Sequence, residues 1–178
     1  KAEKIAPNLI GRPAPPFIDA IGRSFMKDTN GIVHSLYDVK ADYTLLIFFG
    51  PDCGHCKKEL PKVKKVTDSL TTAPKFLSNH KKIDLKVYAV QTEFDTGKWK
   101  EFIINQGIGD WINVGDILTD NEGNPQASSN WRDQYDIYST PVIYLLDKDK
   151  KIIAKRISYK QISKIIKRFE EISTKFTE

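Results

Sequence analysis

Two cysteines, Cys53 and Cys56, are the residues whose type and spacing most directly suggest chemistry. They are the only cysteines among 178 residues, and they form the sequence Cys-Gly-His-Cys. A thiolate is the attacking species in disulfide exchange, so a reactive site must lower the pKa of one thiol and keep it accessible. An apolar run precedes the pair and a helical pattern follows it. We therefore expect a strand to deliver both thiols to the start of a helix, where unpaired N–H groups and the helix dipole favour a thiolate at Cys53.

The spacing gives the two thiols different roles. Cys56 lies three residues after Cys53, on the same face of the expected helix and close enough to form a disulfide. We expect Cys53 to be the nucleophile and Cys56 the resolving thiol that releases a mixed disulfide. His55, when protonated, would tune the site further by favouring the thiolate.

Other uses of the two cysteines have a weaker physical basis. Closing a loop of only four residues restricts the unfolded chain little, which argues against a structural disulfide or two inert thiols. A zinc site needs more ligands, and His34 and His80 are isolated in the sequence. We therefore expect no metal and no cofactor, only a redox-active disulfide between Cys53 and Cys56.

Composition limits the class of protein. The chain has 40% hydrophobic and 29% charged residues, which suits a globular domain with a substantial core. Its net charge is +5, but lysines and acids alternate, as in residues 147–151, so we expect a solvated surface and no nucleic-acid partner. The apolar runs are too short for a membrane span. Because the chain begins at Lys1 without a methionine, we expect a processed or truncated product that has lost a signal or lipid anchor.

The elements that must position the cysteines alternate along the chain. We expect an extended lead-in over residues 1–16 and a single domain over 17–178. The expected order is strand, helix, strand, helix, then a hairpin and a last helix. This order indicates an α/β sandwich with a mixed sheet. Pro61 lies inside the first helix and predicts a kink there. The expected strands are 17–21, 43–49, 83–90, 141–146 and 151–156, and the expected helices are 53–70, 96–106, 126–134 and 162–172. Residues 113–118 are a shorter strand or an irregular segment, residues 75–82 are helix or loop, and residues 28–31 are a hairpin turn.

The region around Cys53 resembles the thioredoxin superfamily. The apolar strand before it, Pro61 five residues after Cys56, and the pair Thr140-Pro141 at the start of a later strand all match. The resemblance implies a thioredoxin-like three-layer sandwich, with a central mixed β-sheet, helices on both faces and an N-terminal β-hairpin extension. It also implies that the bond before Pro141 is cis, and that Thr140 and Pro141 face the disulfide and bind substrate backbone. The alternative is an ordinary trans proline at the start of an edge strand.

A finer resemblance is to the membrane-tethered bacterial branch that includes TlpA and ResA, reductases associated with cytochrome c maturation. Residues 11–17 and 56–61 carry it, and it covers roughly residues 9–172. It implies that Glu59 tunes the active site through proton exchange; the alternative is a solvated carboxylate among lysines. We expect an extracytoplasmic protein of the bacterial periplasm or cell envelope, in contact with a membrane only through a missing N-terminal anchor. We also expect a monomer, with protein thiol or disulfide clients and an upstream redox donor or acceptor.

The chain departs from the family pattern in three places near the first cysteine. Asp52 replaces the usual aromatic residue before the first cysteine, and we expect it to point to solvent because a buried carboxylate would oppose ionisation of Cys53. Ile47 occupies the position of thioredoxin's buried acid. The dipeptide between the cysteines is Gly-His, as in protein disulfide isomerases. We expect the three tryptophans to pack in the core; the alternative for Trp131, which precedes the approach to Pro141, is to border the active-site groove.

The predicted function is thiol-disulfide oxidoreductase, with the direction of electron flow open. One alternative is a thiol peroxidase, but such sites place a threonine near the reactive cysteine, where this chain has residues 50–52. Another is a thioredoxin-fold copper chaperone, which uses a Cys-x-x-x-Cys spacing and a distant histidine.

Overall fold

A mixed β-sheet of five strands is the centre of the computed structural model, which describes residues 6–72, 82–119, 122, 125–126 and 128–176. In the described residues the strand order is β3 (Ile112–Gly115), β2 (Leu85–Gln91), β1 (Tyr43–Phe49), β6 (Val142–Leu146) and β7 (Ile152–Lys155). Strand β1 runs parallel to β2 and antiparallel to β6. The predicted mixed sheet is confirmed. A separate two-stranded pair is formed by β4 (Leu118–Thr119) and β5 (Pro125–Gln126).

Three long helices cover one face of the sheet. They are α1 (Gly54–Thr72), α2 (Thr96–Gln106) and α4 (Tyr159–Lys175). Leu60 on α1, Phe102 on α2 and Ile166 on α4 are buried in one cluster with the odd-numbered side chains of β1. The ring of Phe49 stacks on Phe102 with centroids 5.1 Å apart. Apolar side chains at helical spacing therefore form one continuous core on this face, as the sequence predicted.

The opposite face carries a second core that is rich in aromatic residues. Phe17 from the N-terminal segment packs against Phe48 on β1 and against Trp131 and Tyr135. Trp131 begins the short helix α3 (Trp131–Gln134), and a 3-10 turn at Leu36–Asp38 buries Leu36 in the same cluster. Strand β1 is buried along its whole length because both faces are covered. Helices on both faces complete the three-layer sandwich.

The N-terminal extension is a series of turns closed by single bridges. Asp28 donates its N–H to the carbonyl of Ile32 at 2.9 Å, and Lys27 pairs with Val33, so the predicted hairpin turn is confirmed. Lys27 also pairs with Gly115, which adds the extension to the edge of the sheet beyond β3. The strand predicted over residues 17–21 is wrong as a regular strand. Within it only Ile18 forms a bridge, to Ser24, because Asp19 turns the chain by accepting from the N–H groups of residues 21 and 23.

The predicted and the observed element boundaries differ most over residues 113–134. The helix predicted over 126–134 is wrong: among its described residues only α3 is helical, because Ser128 donates its N–H and hydroxyl to the buried carboxylate of Asp116. The segment 113–118, predicted as a shorter strand or an irregular segment, is strand up to Gly115 and irregular at residues 116–117. Most of the segment 75–82, predicted as helix or loop, lies outside the described residues. The division into a lead-in and one domain stays a prediction.

No helix in the described part of the chain is long and apolar enough to cross a membrane.

Candidate active site

A tight turn carries the chain from β1 to α1 and positions the first cysteine. The N–H of Cys53 donates to the carbonyl of Gly50 at 3.1 Å, and the carbonyl of Cys53 accepts the N–H of Lys57 at 3.2 Å. The helix begins at Gly54 rather than at Cys53, so Cys53 is its capping residue. Its sulfur accepts the N–H of Cys56 at 3.2 Å, as a side-chain cap does. The N-terminal donors of α1 therefore point at the Cys53 sulfur.

The two thiols differ in exposure. Both cysteines are free, with Cys53 partly exposed and Cys56 fully buried. Cys56 faces the core from the first turn of α1, in the same cluster as Leu60. An approaching disulfide can therefore reach Cys53 but not Cys56.

The loop before β6 completes the site. The Cys53 thiol donates to the carbonyl oxygen of Thr140 at 3.2 Å. The Thr140–Pro141 peptide bond is cis, the geometry that the family resemblance implied. Strand β6 lies beside β1, so the start of β6 and the end of β1 meet at the same edge of the sheet. The structure thus brings together four predicted site residues: Cys53, Cys56, Thr140 and Pro141.

The pKa values of the two thiols move in opposite directions. Burial by itself raises the pKa of Cys53, but hydrogen bonds with the Cys56 and Thr140 side chains and with the N–H groups of Cys56 and His55 outweigh it and lower that pKa. Burial, followed by the hydrogen bond with Cys53, raises the pKa of Cys56 to about 12. The accessible sulfur is therefore the one that ionises first.

The other predicted site residues lie around this centre. His55 is exposed on the first turn of α1. Glu59 is partly exposed and pairs with Lys62 at 3.0 Å, the arrangement of a solvated carboxylate among lysines. Asp52 points to solvent and pairs with Lys98 at 2.6 Å, so the expectation for Asp52 is confirmed. Ile47 is fully buried beneath the site.

Glu93 is the residue at the site that the sequence analysis missed. It follows β2 by two residues, and its carboxylate oxygens accept the N–H of Asp52 at 3.3 and 3.4 Å. No motif marks Glu93. A usable signal exists nevertheless: β1 and β2 are parallel, and the residues after two adjacent parallel strands meet at the same sheet edge.

Trp131 packs in the core, as expected for the tryptophans, and does not border the active-site groove. Its side chain is fully buried, and its indole N–H donates to Asp116 at 3.1 Å. The neighbouring Arg132 covers the ring at 4.1 Å and donates to the carbonyl of Thr92 at 3.0 Å. Arg132, and not Trp131, therefore contacts the segment that follows β2.

No group of three or more metal-ligating side chains that could hold an ion is found among the described residues.

Several solved structures of bacterial thiol-disulfide proteins are similar to this chain. A domain of a possible thiol-disulfide isomerase from Cytophaga hutchinsonii is 34% identical, with a TM-score of 0.73, over 96% of this chain and 99% of that one. The thioredoxin domain of a thiol-disulfide oxidoreductase from Bacteroides vulgatus is 24% identical, with a TM-score of 0.67, over 90% and 97%. A thiol:disulfide interchange protein from a Bacteroides species is 24% identical, with a TM-score of 0.66, over 90% of each chain. No family model matched the sequence, and no curated protein did.

Proposed function

Because this chain belongs to the thioredoxin superfamily, in its TlpA/ResA-like branch, we propose that it exchanges disulfides with protein clients through Cys53 and Cys56. A thioredoxin-type redox function follows from the family. The single observation that carries the finer proposal is the asymmetry of the two thiols. Cys53 is accessible and has a lowered pKa, while Cys56 is buried beside it and has a raised one.

The first step uses the accessible thiolate. Cys53 attacks one sulfur of a client disulfide, a new sulfur–sulfur bond forms between Cys53 and the client, and the second client sulfur leaves as a thiolate that takes up a proton. The Cys53 thiolate is held ready by the N–H of Cys56 and by the Thr140 side chain. Only an exposed sulfur can meet a protein substrate, which assigns this step to Cys53.

The second step releases the client. Once Cys53 is bound in the mixed disulfide, it carries no negative charge, and the interactions with Cys53 that raise the pKa of Cys56 are removed. Cys56 loses its proton and attacks the Cys53 sulfur, the Cys53–Cys56 disulfide forms, and the client leaves as its second thiol. The client gains two electrons and the pair loses two. The reverse sequence oxidises a client dithiol.

The loop of Thr140 and Pro141 is the proposed client-binding element. The carbonyl of Thr140 already accepts a hydrogen bond from Cys53, so a client segment lying along this loop has its sulfur within reach of the nucleophile. An upstream redox donor or acceptor returns the pair to its starting state. We further propose that the protein is a monomer and lies outside the cytoplasm, in the bacterial periplasm or envelope, as its resemblance to the TlpA/ResA-like branch implies.

Trapping the mixed disulfide tests this mechanism. In Cys56→Ser the first step proceeds and the second cannot, so clients should accumulate as covalent adducts that a reductant releases. In the matched control Cys53→Ser, the buried Cys56 should form none. Non-reducing electrophoresis followed by mass spectrometry of the adducts gives the readout. Equal adduct formation by the two variants, or none by either, would refute the assignment.

A further inference from the structure

The carboxylate of Glu93 lies against the turn that presents Cys53. Strand β2 ends at Gln91, but the N–H of Thr92 still donates to the carbonyl of Phe49 at 2.9 Å, so the chain continues beside the end of β1. The next residue, Glu93, therefore reaches the active-site turn. Both of its carboxylate oxygens lie within hydrogen-bond distance of the N–H of Asp52, at 3.3 and 3.4 Å.

Gly50 shows how closely Glu93 approaches the nucleophile. A Cβ atom on Gly50 would collide with Glu93 Oε1 and would lie 3.5 Å from the Cβ of Cys53. The Glu93 carboxylate and the Cys53 side chain therefore flank the same backbone position. The absence of a side chain at residue 50 is what admits the carboxylate there.

The charges around Glu93 do not neutralise it directly. Within the described part of the chain, no cation forms an ion pair with Glu93. Lys98 on α2 pairs instead with Asp52, and this hydrogen bond, with smaller contributions from Asp95 and Glu93, raises the pKa of Lys98.

Arg132 on α3 binds the carbonyl of Thr92. From α1, the exposed His55 and the buried Cys56 are the remaining titratable groups beside Cys53. The Thr140 loop presents a carbonyl to Cys53.

We propose that Glu93 is a positioning residue of the redox site, whose carboxylate braces the turn from Gly50 to Cys53 and whose negative charge makes the Cys53–Cys56 pair more reducing. The proposal rests on the proposed function of that pair. It assigns the active-site acid to Glu93, at the end of β2. Glu59, the acid that the family resemblance indicated, pairs with Lys62 on the outside of α1.

The sign of the effect follows from electrostatics. A negative charge near Cys53 destabilises its thiolate, and the thiolate belongs to the reduced form of the pair. Removing the charge therefore stabilises the reduced form, which makes the pair a stronger oxidant. A partly solvated carboxylate near the thiol changes the thiolate population about threefold at a pH well below the pKa.

Glu93→Gln is the decisive variant, because its amide oxygen can still accept the N–H of Asp52 while the charge is gone. The rate of iodoacetamide alkylation of Cys53 is measured from pH 5 to 10 in the Cys56→Ser background, and the redox equilibrium of the two-cysteine protein is measured against glutathione. We expect the alkylation profile to move to lower pH, with about threefold faster reaction on its acid side. We expect an equilibrium shifted about threefold toward the dithiol, equivalent to about 14 mV.

Two further variants test whether the position of the Glu93 carboxylate matters and whether the loss of any nearby negative charge has the same effect. Gly50→Ala should displace the Glu93 carboxylate and move the alkylation profile in the same direction as Glu93→Gln. Glu101→Gln, an exposed change on α2, is the matched control and should leave the profile at the wild-type position. Thermal unfolding of each variant verifies that it is folded.

An unmoved profile in Glu93→Gln, or a shift no larger than in the Glu101→Gln control, overturns the proposal. The alkylation profile tests Glu93 even if no client is ever exchanged, since it needs only the thiol of Cys53. Failure of the pair to form a disulfide in the glutathione series would instead overturn the proposed function. The two failures are thus distinguishable.

Discussion

The Cys53 sulfur lies 3.2 Å from the carbonyl oxygen of Thr140, although 87 residues separate the two in the sequence. The contact exists because β1 and β6 are neighbouring antiparallel strands, with Phe48 opposite Val142. Cys53, the proposed nucleophile, follows the end of β1, and the proposed client-binding loop precedes the start of β6. Sheet register therefore determines which backbone the thiol faces.

The two thiols should react with alkylating agents in separate pH ranges. The pKa of Cys53 is lowered, whereas burial and the bond with Cys53 raise that of Cys56 to about 12. Near pH 7, iodoacetamide should therefore modify Cys53 alone, and unfolding in urea should make both cysteines reactive. Peptide mapping by mass spectrometry measures this. Equal labelling of the two residues in the folded protein would contradict the assignment of nucleophile and resolving thiol.

Thr140→Val should make Cys53 less acidic. The Thr140 side chain forms a hydrogen bond that lowers the pKa of Cys53, and valine keeps the shape without the hydroxyl. We expect the alkylation profile of Cys53 to move to higher pH, with reaction on its acid side slowed several-fold, which corresponds to a shift of about half a unit. The exposed neighbour Ser139 supplies the control, Ser139→Ala. If both variants moved the profile equally, a specific role for the Thr140 hydroxyl would be excluded.

Asp116→Ala should destabilise the fold and loosen the segment that leads to Thr140. The buried carboxylate of Asp116 accepts from the N–H and hydroxyl of Ser128 and from the indole of Trp131, and alanine leaves these donors without their acceptor. We expect a loss of about 3 kcal/mol in the free energy of unfolding, measured by urea denaturation. The exposed Asp133→Ala should change it by less than about 0.5 kcal/mol. A comparable loss in both variants would show that the Asp116 network adds no stability of its own.

The free energy of unfolding should fall at alkaline pH because un-ionised tyrosine side chains are buried in the core. Burial raises the pKa of Tyr88 above its usual value of about 10, and the same holds for Tyr135. A raised folded-state pKa means that the contribution is fully present below about pH 10 and is lost as the pH rises further. The free energy of unfolding should therefore decrease from pH 9 to 11, and the decrease should be smaller in Tyr88→Phe. An equal pH slope in wild type and Tyr88→Phe would exclude ionisation of Tyr88 as a cause.

Local sequence patterns predicted the redox motif and the elements that carry it. The apolar run at Tyr43–Phe49 became a strand buried on both faces, and the stripe at three- and four-residue spacing after Cys56 became the buried face of α1. Helix α2 has the bounds that its pattern predicted. Each of these depends on neighbours within a few residues of one another, which is why periodicity and turn residues suffice.

Long-range contacts account for what the sequence analysis missed. Asp116 accepts from Ser128 and Trp131, and it thereby replaces the first part of the helix predicted over 126–134 with an irregular segment. Trp131 is in the core because Phe17 and Phe48 surround it from distant parts of the chain. No local pattern contains these partners.

The sequence by itself determined the chemistry of this protein: two thiols, their spacing, and the strand and helix that hold them. Tertiary structure alone decided their surroundings, because charges and carbonyls act across space and not along the chain. It seated the Glu93 carboxylate against Gly50. It also set the Thr140 carbonyl beside Cys53. Those through-space contacts surround the Cys53 thiol where three strand ends meet at one edge of the sheet.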